Sequence, residues 1–187
     1  EKHPSLRVTE ISDPRDPAVP EADILLGTMV TEELILNAPN LKAVAVTFAG
    51  VDGLPLKLLA ERGITLTNAH ANARYVAERA LALTLGFFGK LITFHQELRR
   101  EEWHGFAVGE SVLKSWESIV GMRAAILGTG AIGDHVGRLF RAFDCTVVGY
   151  GRRATAPRPP YDELTNDIRA AVTDADVVIC ALPLTSK

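Results

Sequence analysis

Short apolar runs alternate with stretches of helical period from the start of this chain. Leu6–Ile11, Asp23–Leu26, Leu41–Thr47 and Ile64–Thr67 read as strands, with helices near Glu32–Asn37 and Pro55–Arg62 between them. Such alternation predicts a parallel sheet. Three prolines within Asp13–Pro20 predict a loop, because proline fixes φ and removes backbone donors. Apolar residues at 76, 80, 83, 87, 91, 94 and 98, with a second stripe at 77, 81, 85, 88 and 92, predict one long helix with a wide buried face. Gly86 and Gly89 lie inside it, and each costs up to about 1 kcal/mol in an exposed helix. A neighbouring backbone from another domain or subunit is therefore expected close to both.

A polar stretch around Arg99–Gly105 precedes a second βα series. Strand Arg123–Leu127, helix Ile132–Phe143, strand Thr146–Tyr150, a Pro/Arg-rich loop, a helix near Leu164–Val172 and strand Val177–Leu182 are expected in turn. The domain boundary is placed near residue 100, which divides the chain into 1–99 and 100–187.

Composition narrows the function classes. At 187 residues, with 47% hydrophobic and 23% charged, the chain has the make-up of a soluble globular protein. A net charge of -3 gives no broad basic field, so neither nucleic acid nor an anionic membrane is an expected partner. No apolar run reaches the roughly 20 residues that span a bilayer, and the start lacks the apolar core of a signal peptide. The first residue is Glu1, not Met, which points to a trimmed start. Cys145 and Cys180 lack the spacing of a disulfide framework or a zinc site; a cytoplasmic setting and no metal are expected.

The chemistry is concentrated in Gly128-Thr129-Gly130-Ala131-Ile132-Gly133, directly after an apolar strand and at the head of a helix. Three glycines alone arise by chance, but in this context they form a dinucleotide-binding fingerprint. Gly128 allows the tight turn, Gly130 lets amides approach a pyrophosphate, and Gly133 lets helix and strand pack closely. The helix N-terminus then faces the anion. At the end of the next strand an NAD site carries Asp or Glu for the ribose hydroxyls. Here that position is Gly151, followed by Arg152 and Arg153. Without the carboxylate, and with two guanidinium groups at hand, the site favours NADP over NAD. The alternative is a solvated arginine pair beside a degenerate site.

Further motifs agree with one family. Ala38-Pro-Asn-Leu-Lys42, Ala49-Gly-Val-Asp52, Arg62–Asn68, Asn72-Ala-Arg-Tyr-Val-Ala-Glu78, Trp103, the glycine turn and Ala175–Thr185 follow in order. With these motifs the chain resembles the D-isomer-specific 2-hydroxyacid dehydrogenases nearly end to end. The resemblance implies an α/β protein of two doubly wound parallel-sheet domains. A flavodoxin-like substrate domain comes first, and a Rossmann NAD(P)-binding domain, here incomplete, follows. It implies substrate carboxylate binding by backbone amides at Phe48, Ala49 and Gly50, and a place for Asn72 beside substrate or nicotinamide. Asn72 equally suits a helix cap. Val76 would pack on the nicotinamide side, or in the core, and Ala181, Leu182 and Pro183 would follow the cofactor. His70, His95 and His104 are given no catalytic role.

The resemblance also implies an Arg, a carboxylate and a His for proton and hydride transfer. All three are expected downstream of Pro183, so no catalytic residue is expected within this chain, which reads as a piece of a longer protein. The reading is a cytoplasmic oxidoreductase that moves a hydride between NADP(H) or NAD(H) and a small 2-oxo or D-2-hydroxy acid, in a cleft between two domains. A homodimer is expected. The alternative is a catalytically inactive dinucleotide-sensing module, as in corepressor relatives, or an isolated fragment that only binds nucleotide; an adenosylhomocysteine hydrolase-like enzyme fits the glycine turn but not Asn72–Glu78.

Overall fold

The computed structural model describes residues 6–102, 116–152 and 156–183. These fall into two compact units: the described residues up to His70 together with Pro183, and the described residues of Ala71–Leu182.

The first unit is a three-stranded parallel sheet with order β1-β2-β3, formed by β1 (Ile24–Gly27), β2 (Ala43–Val46) and β3 (Thr65–Thr67). Helices α1 (Glu32–Asn37) and α2 (Leu56–Glu61) connect the strands. Leu34, Ile35, Val44, Val46, Leu59 and Ile64 form its core. Thr31 starts α1 by accepting a hydrogen bond from the Leu34 amide at 3.1 Å. Arg62 closes the other end by donating to the carbonyls of Ile35, Ala38 and Pro39. The prolines of Asp13–Pro20 do lie in turns, with a 3-10 turn at Val19–Glu21. Leu6–Ile11 is not a strand: among the described residues no strand pairs with it, and Val8 is 91% exposed. Its alternation is real, but no sheet edge takes it up.

The second unit holds a four-stranded parallel sheet with order β6-β5-β4-β7. Its strands are β4 (Arg123–Leu127), β5 (Thr146–Tyr150), β6 (Glu163–Thr165) and β7 (Val177–Cys180). Helix α5 (Ala131–Arg141) joins β4 to β5, and α6 (Ile168–Val172) leads into β7. Ile126, Val136, Phe140 and Val147 are fully buried between sheet and helix. Chain order reverses direction at β4, whose neighbours are β5 on one side and β7 on the other.

The long helix predicted over 76–98 is two helices, α3 (Ala73–Phe88) and α4 (Leu91–Leu98). Lys90 breaks them with a left-handed φ of 49°. Ala77, Leu81, Leu85 and Phe88 of the second stripe, with Ala80 of the first, pack with the core of the second unit. Val76, Leu83, Phe87, Leu91 and Ile92 are exposed, so Val76 is not a core residue. Among the described residues no backbone of another element meets either glycine: an added Cβ at Gly86 has open space, and one at Gly89 would meet the Leu85 carbonyl of its own helix at 2.7 Å and the Leu91 side chain of α4 at 3.8 Å. The packing of α3 thus joins it to the second unit, whereas the boundary expected near residue 100 had put it with the first.

The helix expected from Leu164 is also divided. Glu163–Thr165 pairs with β5, with Leu164 opposite Gly149. A strand of three residues with one apolar side chain carries too little alternation to be read from sequence. Asp167 then caps α6 by accepting from the Arg169 amide at 2.8 Å.

Candidate functional site

The glycine turn leaves β4 at the point where strand order reverses, which is where open α/β sheets form their ligand crevice. Gly128 has a φ of +108°, a region side chains rarely enter, and a Cβ there would come within 2.7 Å of the Ala181 carbonyl oxygen. Ala181 in turn donates its amide to Leu127 at 2.8 Å. The turn after β4 and the turn after β7 are therefore in direct backbone contact, and only a glycine permits it. A Cβ at Gly133 would run into the Gly128 carbonyl, so the first turn of α5 is pressed against the strand end.

Gly130 is the N-cap of α5, and no side chain caps the helix. The first N–H groups of the helix, which have no partner within it, are left for another acceptor. An added Cβ at Gly130 would meet nothing within 4 Å, so the space in front of it is open. Backbone donors, a helix dipole and an uncluttered approach suit a pyrophosphate, and residues 128–133 fit a dinucleotide on these grounds.

Thr129 lies between two of these glycines and reaches across to β5. A Cβ at Gly149 would be 2.9 Å from its Cγ2, and one at Gly151 would be 2.6 Å from its Oγ1. The position where a ribose-binding carboxylate would start is thus bounded by the Thr129 side chain. Gly151 donates its amide to Thr165 at 3.1 Å. Arg152 is exposed and makes no hydrogen bond or ion pair with a described residue; Arg153, Trp103 and His104 lie outside the described residues.

Three residues at this turn carried no signal in sequence: Asp134, Arg158 and Tyr161. Arg158 pairs with Asp134 on the first turns of α5, and the Tyr161 hydroxyl donates to the same carboxylate at 3.0 Å. Tyr161 is buried, and that burial, followed by its bond to Asp134, raises the pKa of its phenol; it stays protonated as a donor. Nearby, partial burial pushes the Asp162 carboxyl up, but the Val147 amide and the Arg141 guanidinium outweigh it and hold the group below the usual carboxylate range.

In the first unit, Phe48, Ala49 and Gly50 follow β2 at the carboxyl end of the sheet. The Phe48 carbonyl accepts from the Ala69 amide at 3.2 Å and the Ala49 carbonyl from the Asn68 side chain at 2.7 Å. The loop is held by its carbonyls and Gly50 is exposed, which suits amide binding of an anion. Asn72 stands at the N-cap of α3, yet its side chain makes no capping bond. Val76 is one turn further along. Among the described residues, no group of three or more His, Cys, Asp or Glu side chains could hold a metal ion, and no helix is long and apolar enough to cross a membrane.

Comparison with known proteins names the family. The sequence profile of the NAD binding domain of D-isomer specific 2-hydroxyacid dehydrogenases matches residues 81–187. The chain belongs to this family. A glyoxylate/hydroxypyruvate reductase of Arabidopsis thaliana is 30% identical over 176 residues, covering 93% of this chain and 53% of that protein. A D-3-phosphoglycerate dehydrogenase of Methanocaldococcus jannaschii is 29% identical over 180 residues, covering 90% of this chain and 32% of that protein. Among solved structures, the PH0520 protein of Pyrococcus horikoshii OT3 superposes with a TM-score of 0.71 at 28% identity, covering 90% of this chain and 52% of that one. The D-lactate dehydrogenase of Aquifex aeolicus, solved with NAD and lactic acid, shares the fold at a TM-score of 0.72 and 21% identity, covering 89% of this chain and 50% of that one. The chain spans about half, or less, of the length of these relatives.

Proposed function

We propose that this 2-hydroxyacid dehydrogenase chain binds a nicotinamide dinucleotide at Gly128–Gly133 and, as part of the whole protein, serves the interconversion of a small 2-oxo acid and its D-2-hydroxy acid. The observation that carries the reading is the glycine turn itself, open in front of an uncapped helix at the reversal of strand order. The bound nicotinamide would supply the hydride. The α5 N-terminus, with the amides of Gly130, Ala131 and Ile132, would hold the pyrophosphate. Ala181, Leu182 and Pro183 would border the cofactor where the turn after β7 meets Gly128, and Val76 would flank the nicotinamide. The backbone amides of Phe48, Ala49 and Gly50 would hold the substrate carboxylate. On the second unit, Asn72 would touch substrate or nicotinamide.

Within this reading the preferred cofactor is NADP. No carboxylate stands at Gly151 to repel a 2′-phosphate, and Arg152 is exposed with its donors free of described partners. Arg153 is assigned to the same task from sequence. Titration of the purified protein with NADPH and NADH tests the assignment: tighter NADPH binding supports it, and tighter NADH binding overturns the preference. Adding glyoxylate or hydroxypyruvate and following NADPH oxidation separates an enzyme from a sensor, since a sensor would bind without turnover.

A homodimer through the exposed apolar stripe of α3 and α4 belongs to the same proposal. Leu83 and Phe87 on α3 and Leu91 on α4 are each more than half exposed. Two free cysteines suit a cytoplasmic setting.

A further inference from the structure

The loop after β5 carries Arg158 back over the glycine turn, where it makes three bonds to Asp134 and Thr129 besides one to the neighbouring Pro159 carbonyl at 3.3 Å. Its two terminal nitrogens donate to the two carboxylate oxygens of Asp134, each at 2.9 Å, and one of them also donates to the Thr129 carbonyl at 3.0 Å. The guanidinium stands 5.4 Å from the centre of the Tyr161 ring, and Tyr161 donates to one of the same Asp134 oxygens. Pro160 anchors the loop on α5, where a Cβ at Gly137 would meet it at 2.6 Å.

Asp134 lies one residue past the last fingerprint glycine, in the first turns of the helix that faces the pyrophosphate. A carboxylate there gains from the helix dipole, but it adds negative charge at the end where an anion has to settle. A bidentate guanidinium offsets that charge and fixes its position. The bond to Thr129 sets the peptide between Gly128 and Gly130, and with it the residue that bounds the space at Gly151.

We infer that Arg158 is a positioning residue of the dinucleotide site, neutralising Asp134 and locking the Thr129 carbonyl so that the turn is preformed for a pyrophosphate. This rests on the proposal that the turn binds a nicotinamide dinucleotide. Both pair members act on the phosphate turn, so NADPH and NADH are affected alike.

The test is titration of the purified chain with NADPH and NADH, with melting temperature measured in parallel, for Arg158→Ala, Arg158→Lys, Asp134→Asn and the double variant Asp134→Asn/Arg158→Ala. Losing a charged, bidentate partner weakens binding of both dinucleotides by about tenfold in Arg158→Ala. Arg158→Lys falls between, because an ammonium cannot reproduce the fork. In the double variant the dinucleotide affinity returns most of the way while the melting temperature does not, which separates charge at the turn from loop stability. Wild-type affinity in Arg158→Ala, or a loss that the double variant fails to relieve, overturns the inference and leaves the nucleotide site standing. A wild-type chain that binds neither dinucleotide overturns the site reading and this inference together.

Discussion

Replacing Gly128 by alanine forces a Cβ into the Ala181 peptide at a φ where side chains are already strained. The expected result is a loss of stability of about 1–3 kcal/mol, seen in urea unfolding, together with weakened dinucleotide binding. Cys145 gives a second test at this scale. It is buried, its thiol donates to the Ile119 carbonyl at 3.1 Å, and burial raises its pKa, whereas Cys180 is exposed. In the native chain a thiol reagent should modify Cys180 rapidly and Cys145 only on unfolding; equal rates would contradict the burial. The glycines were legible in the sequence because each is demanded by backbone geometry within a few residues. Arg158, Tyr161 and Asp134 were not, since their meeting depends on the path of a loop more than twenty residues downstream of the turn.

Most elements could be read because their apolar pattern and their ends agree. Helix α1 has both, and removing its cap in Thr31→Ala, which deletes the acceptor for the Leu34 amide, should cost about 1 kcal/mol in chemical denaturation with no change in dinucleotide affinity. Where pattern and packing disagree, the sequence misled. The stripes from 76 to 98 have the period of one helix, but the period cannot reveal that Lys90 turns left-handed, nor which positions face α5. Leu6–Ile11 looked like a strand because its residues alternate, and alternation needs a partner edge to become one. Conversely, β6 was missed because what makes it a strand is Leu164 lying along Gly149, a property of the neighbour.

Across the whole molecule, paired carboxylates set the response to acid. Asp162, pulled down by the Val147 amide and Arg141 against partial burial, and Glu163, held down by its bidentate bond to Arg123, both ionise more easily folded than unfolded. The unfolded chain therefore takes up their protons first as pH falls. Their contribution is complete above the unfolded carboxylate range near about pH 4 and disappears as pH drops through their lower folded values. Asp162→Asn should accordingly flatten the fall in melting temperature below about pH 4 and leave its shape near neutrality unchanged. The apolar stripe on α3 and α4 gives a separate expectation: Leu83→Glu/Phe87→Glu should lower the mass seen by light scattering from dimer to monomer. A wild-type chain that is already monomeric would remove the dimer from the reading.

The contact between Gly128 and Ala181 also orders events in time. The strands β4, β5 and β6 follow one another in both sequence and space, but β7 must return past them to lie beside β4. Pairings between residues so far apart along the chain close late, after the loop entropy has been met. On a ribosome, then, the phosphate turn emerges early with one wall missing, and it gains that wall only once Ala181 has emerged and β7 has paired with β4. Nucleotide capture by the nascent protein should switch on at that length.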